Sequence, residues 1–259
     1  MFEKQRQEQF PWERTKYSTD YNAVLARYMY IDTLEYIRGE SLLDLACGDG
    51  HITSMFANHF QHVVGVDASP THLIEARKRV HNGTFYESLI EDFDPKTTFD
   101  TVLFLNVLEH VIDPVAILRK VSTFLSENGV LIIHVPNAEA INRKIAVSMG
   151  TLNTLEELSP FDINVVGHRR SYTLDTLCDD IHAAGLNVVK TGGVFFKMLS
   201  TAQMDWFLKN GLWEEGGFGW GRVGEEKSKD WRNEFCRACY EIGKERPRDC
   251  NVVTAVVTK

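Results

Sequence analysis

Apolar residues recur at helical spacing through residues 15–38 (Tyr17, Tyr21, Val24, Leu25, Tyr28, Ile31, Leu34), which predicts one or two leading helices. From residue 41 onward, short apolar runs alternate with helical stretches. Runs at 41–46, 62–66, 84–86, 99–105, 130–135, 187–196 and 252–257 read as strands, the third of them weak. Helical patterns fill 49–60, 70–80, a short stretch around Glu109, 114–125 and 174–185. Ser69-Pro70 and Asp113-Pro114 each place a capping side chain before a proline at the first helical position. Thr173 caps a further helix that stops at Gly185, and Asn128-Gly129 turns into the fifth strand. Strands alternating with helices predict an α/β fold whose mainly parallel sheet is covered on both faces.

Two stretches exceed ordinary connections: 137–170 after the fifth strand and 197–250 after the sixth. The longer one holds four of the five tryptophans, Trp206, Trp213, Trp220 and Trp231. Both follow strands at the edge where open α/β sheets bind ligands. They read as a lid or substrate-binding elaboration, with a homodimer contact as the competing use of 197–250. The expected organisation is a helical cap (1–40), a ligand-binding core (41–196, with the insertion at 137–170), the 197–250 insertion, and a last core strand (251–259).

Composition narrows the partners. A chain of 259 residues with 44% hydrophobic and 25% charged residues is an ordinary globular protein. No run approaches the roughly 18 apolar residues of a membrane span, and Met1 to Phe10 shows no secretory pattern, so no membrane partner and a cytoplasmic location are expected. The net charge of −8 disfavours nucleic acid, and the densest basic clusters are only Arg77-Lys78-Arg79 and Arg169-Arg170. Five scattered cysteines read as reduced thiols. Among them Cys236 and Cys239 lie on a helical pattern without a histidine pair, which favours packed thiols over zinc.

The strongest chemical signal is Leu42-Leu43-Asp44-Leu45-Ala46-Cys47-Gly48-Asp49-Gly50, a strand running through a glycine turn into a helix. Gly48 and Gly50 allow a sharp turn close to a ligand, and the helix N-terminus favours a ligand carboxylate. Asp67 ends the next strand, seventeen residues after Gly50, where an acid can accept bonds from two ribose hydroxyls. A nicotinamide dinucleotide site wants a third small residue where Thr53 stands, and Asp44 suits an ammonium group better than a pyrophosphate. An amino-acid-bearing nucleoside fits better.

These segments, with 65–69 (Gly-Val-Asp-Ala-Ser), 90–94 (Ile-Glu-Asp-Phe-Asp) and 99–114, resemble the successive motifs of class I S-adenosylmethionine-dependent methyltransferases. Within that group they are similar to the branch containing the ubiquinone-pathway O-methyltransferases. The resemblance covers about residues 40–196. It implies a Rossmann-like, doubly wound, seven-stranded sheet with its last strand antiparallel, and S-adenosyl-L-methionine as cofactor. It also implies that Asp44 and Gly48 hold the methionine end, that Asp67 binds the ribose, and that Ala68 flanks the adenine. Leu89, Ile90 and Glu91 would line the adenine edge, and Asn106 and Val107 would lie near the methionine portion. Tyr17 or Tyr21 would cover the cofactor, against a competing reading as plain amphipathic packing.

Methyl transfer from a sulfonium depends mainly on positioning the acceptor, and a hydroxyl acceptor also profits from a general base. Asn106, Glu109 and His110 fall at i, i+3 and i+4, on one face of the short expected helix. The ubiquinone-pathway relatives carry an acidic residue where Asn106 stands, so no metal is expected to be required. His110 and His168 are the two candidate bases. Arg169 and Arg170 could clasp an anionic acceptor, with Tyr172 beside them, whereas His134, inside an apolar strand, reads as a core residue. The expected function is O-methylation of a small polar metabolite such as a sugar, sugar nucleotide or natural-product intermediate. N-methylation of a small amine and a catalytically silent cofactor-binding subunit are the alternatives.

Overall fold

Along the central strands successive side chains point to opposite sides of the sheet, and both sides are apolar. Leu43, Leu45, Val102, Phe104, Leu131, Ile133 and Val135 enter one buried cluster. Leu42, Leu103, Val130 and Ile132, one residue out of phase, enter another. A sheet with two apolar faces must be covered twice, which forces a three-layer arrangement. The computed structural model shows this arrangement and describes residues 20–210 and 231–259.

The strands are β1 (Ser41–Leu45), β2 (His62–Asp67), β3 (Gly83–Glu87), β4 (Phe99–Leu105), β5 (Leu125–Pro136), β6 (Asn187–Val194) and β7 (Val252–Thr258). The helices are α1 (Asp20–Thr33), α2 (His51–Phe56), α3 (Pro70–Arg79), α4 (Pro114–Ser122), α5 (Ile141–Ser148), α6 (Pro160–Asn164), α7 (Leu174–Ala183), α8 (Thr201–Asn210) and α9 (Trp231–Glu245). The strands form one sheet in the order β3-β2-β1-β4-β5-β7-β6. Only β7 runs antiparallel to its neighbours, the Rossmann-like pattern expected.

Helices α4 and α7 cover one face with Ile117, Leu118, Val121, Leu177 and Ile181. Phe56 of α2, Leu73 and Ala76 of α3, and Tyr30 of α1 cover the other. A third cluster joins Tyr21, Tyr28 and Met29 of α1 to Phe195, to Met204 and Phe207 of α8, and to Tyr240 of α9. The start signals act as read: Ser69, Asp113 and Thr173 each accept a backbone N–H at the head of α3, α4 and α7. Tyr17, Trp213 and Trp220 lie outside the described residues.

Two expectations need correction. Strand β5 begins at Leu125, not at residue 130, because Leu125 already pairs with Phe99 before the register shifts across Asn128-Gly129. A Cβ on Gly129 would come within 2.8 Å of the Phe99 carbonyl oxygen, so this close approach requires glycine. The short helix expected around Glu109 does not form. Asn106 takes φ +55, and the chain closes only a turn, with the His110 N–H donating to the Val107 carbonyl.

His134 is fully buried in β5, with Nε2 3.3 Å from Thr33 Oγ1, and burial pushes its imidazole down to about 3. A base held neutral in the fold but protonated in the unfolded chain below about pH 6.5 removes stability as pH falls. Relative to the native chain, His134→Gln should gain about 2 kcal/mol between pH 6.5 and 5. Chemical unfolding across that range measures the difference, and parallel curves for the two proteins would contradict the assignment.

Candidate functional site

Strand order reverses between β1 and β4, opening a crevice at their carboxyl ends. Ala46 and Asn106, the residues directly after these two strands, hold φ +57 and +55. Such left-handed conformations are rarely adopted by residues other than glycine and concentrate where a site is pre-shaped. Ala46, within the 42–50 motif but given no role there, lines the crevice.

The crevice contains two adjoining cavities. Asp67, Ala68, Leu89, Ile90 and Glu91 line the first, and Asn106 and Val107 close its other side. The Asp67 carboxylate is set at the strand tip by two amides: Gly48 N donates to Oδ2 at 2.9 Å and Ser69 N to Oδ1 at 2.8 Å. The Gly48 amide therefore ties the glycine loop to Asp67, and neither Gly48 nor Gly50 lines the cavity. Gly50 is needed for other reasons. Its φ is +74 at the head of α2, and a Cβ there would lie 2.9 Å from the Ala76 Cα. Asp44 is buried beneath the loop and accepts from Thr53 Oγ1 at 2.5 Å, while burial pushes its carboxyl up to about 7.

This donor set fits the nucleoside the sequence pointed to. Asp67 offers a carboxylate to a diol, and Ala68, Leu89 and Ile90 offer apolar walls to a flat ring. Asp44 lines neither cavity and is engaged by Thr53, which corrects its expected direct hold on the methionine end. Tyr21 does not join the lining either, which corrects its expected role. It shares a face of α1 with Tyr28, and that face turns into the third core cluster, edge-on to Phe195 at 5.5 Å between ring centroids. Asn22 and Leu25 face the second cavity instead.

The second cavity, of about 420 Å³, shares Asn106 and His110 with the first. In its wall Glu109 is 1% exposed, and neither carboxylate oxygen has a hydrogen-bond partner among the described residues. Its Oε1 lies 3.7 Å from His110 Nε2 and 3.9 Å from His168 Nε2, and burial pushes the carboxyl up to about 8. The two imidazoles meet edge-on at 5.0 Å. His110 Nδ1 lies 3.3 Å from the Gly167 carbonyl oxygen. A carbonyl only accepts, so the neutral ring carries its proton on Nδ1 and presents the Nε2 lone pair. Burial lowers the His168 imidazole, partly offset by Asp162, whose Oδ1 lies 3.7 Å from Nδ1.

Ligand atoms of Glu109, His110 and His168 lie within 4.8 Å of one another, a carboxylate-and-imidazole set of the kind that suits a divalent ion. His168 completes that set from 58 positions further along the chain, which spacing around Asn106 could not reveal.

Both arginines serve the turn that replaced the expected helix; Arg169 lines neither cavity, which corrects its substrate-clasping role, while Arg170 also lines the second cavity. The Arg170 guanidinium donates to the carbonyls of Leu108, Val111 and Ile112. Arg169 Nε donates to the His110 carbonyl at 2.8 Å, and its amide to that of Glu109. Carbonyls left without helical partners are satisfied by side chains. Tyr172 lines neither cavity. It is buried in the core with its hydroxyl donating to Asp180 at 2.8 Å, so its expected substrate role is also corrected.

Sequence reasoning missed Asn142, Asp162 and Lys197, which line the second cavity from the two insertions. The one signal available was position, since both insertions follow strands at the ligand edge. Cys236, Cys239 and Cys250 are buried, the first two within the third core cluster. Among the described residues no helix is long and apolar enough to cross a membrane.

Residues 6–191 match the family model described as "Methyltransferase domain". The chain is 30% identical over 105 residues to the ubiquinone biosynthesis O-methyltransferase of Rhodopseudomonas palustris strain TIE-1, covering 39% of this chain and 42% of that one. It is 30% identical over 159 residues to the trans-aconitate 2-methyltransferase of Enterobacter sp. strain 638, covering 59% of this chain and 60% of that one. It thus matches under two thirds of either relative's length. A crystal structure of an S-adenosylmethionine-dependent methyltransferase from Mesorhizobium loti superposes with a TM-score of 0.57 at 16% identity, covering 89% of this chain and 96% of that one. With the family model spanning most of the sequence and the expected seven-stranded sheet with its last strand antiparallel, the chain belongs to the class I S-adenosylmethionine-dependent methyltransferases.

Proposed function

We propose that the protein transfers a methyl group to a hydroxyl of a small polar metabolite. The observation carrying this reading is that Asn106 and His110 line both cavities, so a nucleoside pocket and an acceptor-sized pocket meet at one imidazole. When bound, S-adenosylmethionine supplies an electrophilic methyl group on a sulfonium. Asp67, Ala68, Leu89, Ile90, Glu91, Asn106 and Val107 would hold it.

In this proposal His110 is the general base. Its Nε2 takes the proton of the acceptor hydroxyl while Gly167 keeps Nδ1 protonated, and the buried Glu109 carboxyl lies 3.7 Å from that same Nε2, flanking the proton's destination. His168 shapes the same wall from the side. Arg169 and Arg170 act as positioning residues by holding the 108–112 turn. This reading routes no step through a metal ion, although Glu109, His110 and His168 could hold one.

Other readings have weaker support. A carboxylate acceptor is compatible with the trans-aconitate relative, and an amine acceptor would leave His110 little to do. A catalytically silent subunit would have no use for an acceptor-sized cavity at the cofactor's edge. S-adenosylhomocysteine should raise the melting temperature by several degrees at concentrations well above its dissociation constant. A melting curve unmoved by it, together with no turnover in a screen of hydroxylated acids, sugars and amines, would end the proposal. Turnover undiminished by EDTA supports the metal-free mechanism.

A further inference from the structure

An ammonium group buried without a counter-charge is unfavourable unless something else compensates it. Lys197, just after β6, is such a group. It is 5% exposed, and Nζ donates to Thr201 Oγ1 at 3.1 Å and lies 4.9 Å from the centroid of the Tyr21 ring. Among the described residues no carboxylate oxygen comes within the 4.0 Å of an ion pair with it. Asp162 and Asp205 favour its charge only from farther away, Arg143 opposes it, and burial pushes the group down to about 8.

The other cations of the second cavity have partners. Arg143 meets Asp162 at 3.4 Å, and Arg170 meets the turn carbonyls. Asp205 is itself engaged by the Tyr21 N–H at 3.1 Å. Thr201 and Ala202, the first residues of α8, line the cavity beside Lys197. A helix N-terminus carries partial positive charge, and its leading N–H groups have no partner within the helix. Two like-signed features thus face one space, an arrangement that an anion relieves. Across the same cavity the buried Asn142 Oδ1 has no hydrogen-bond partner.

We propose that the methyl acceptor is an anion: a carboxylate or phosphate held by Lys197 and the first turn of α8. The inference rests on the methyl-transfer reading of the same site and assigns the class of acceptor.

Calorimetry on the protein saturated with S-adenosylhomocysteine tests it, using malonate and inorganic phosphate as probes. At least one should bind, and the one that does assigns the acceptor's group as carboxylate or phosphate. Lys197→Met should raise that dissociation constant about tenfold or more, whereas Lys197→Arg stays within about threefold. Ala202→Glu, at an exposed position, should weaken the anion similarly without disturbing the core, and it decides the matter if Lys197→Met does not fold. Binding of neither anion, or unchanged affinity in the variants, overturns the inference. Titration with S-adenosylhomocysteine on the same samples separates the two levels. Its failure in the native chain sinks the methyltransferase reading, while its success beside indifferent variants sinks the anion alone.

Discussion

Asp67→Ala is expected to weaken S-adenosylhomocysteine about a hundredfold or more, below calorimetric detection at ordinary protein concentrations. Each hydrogen bond to a charged acceptor contributes about 1.5–3 kcal/mol, and the carboxylate at this strand tip can accept two from a ribose diol. The loss has a second source. The same oxygens hold the amides of Gly48 and Ser69, so their removal also loosens the glycine turn against β2. Asp67→Asn separates the two, because it retains one acceptor oxygen and loses the charge. An intermediate affinity with a melting temperature close to the native one would assign most of the effect to the ligand. Native affinity in Asp67→Ala would remove the basis for placing the nucleoside in this cavity.

With an acceptor in hand, His110→Ala should lower kcat by about 10²–10³ while leaving cofactor affinity within about threefold. The two readings of the reaction differ in the pH profile. If His110 takes a hydroxyl proton, the rate of the native enzyme falls on the acid side as the imidazole is protonated, and that limb vanishes in the variant. A variant that retains most of its rate and its acid limb would point to an amine acceptor or to another base. His168→Ala serves as the control: it should raise KM more than it lowers kcat, since His168 lines only the acceptor cavity. The reverse pattern in the two variants would exchange their roles.

Much of the lining of the first cavity was legible in the chain, because it is local. Asp67, Ala68, Leu89, Ile90 and Glu91 sit on or just after strand ends, and a strand end at the switch point of a parallel sheet faces the crevice in any such fold. The acceptor half was not. Arg169-Arg170 looked like an anion clasp because adjacent charges read as exposed and available. The turn at 108–112, 58 or more positions away, has carbonyls that needed those donors. Tyr21 and Tyr172 are amphipathic residues whose facing depends on which neighbour buries them, and in each case it was the core.

The alternation of strand and helix, the two apolar faces of the sheet, the capped starts of α3, α4 and α7, and the glycine turn with its partner acid were determined by the sequence alone. Each depends on residues within a few positions of one another, whose φ/ψ preferences and spacing act before any tertiary contact forms. Only the tertiary structure decided that His168 meets Glu109 and His110, that Lys197 is buried beside the head of α8, and that Asn142 faces the same cavity. Those groups come from separate insertions. Their chemistry arises from shared desolvation and proximity, which chain spacing does not encode.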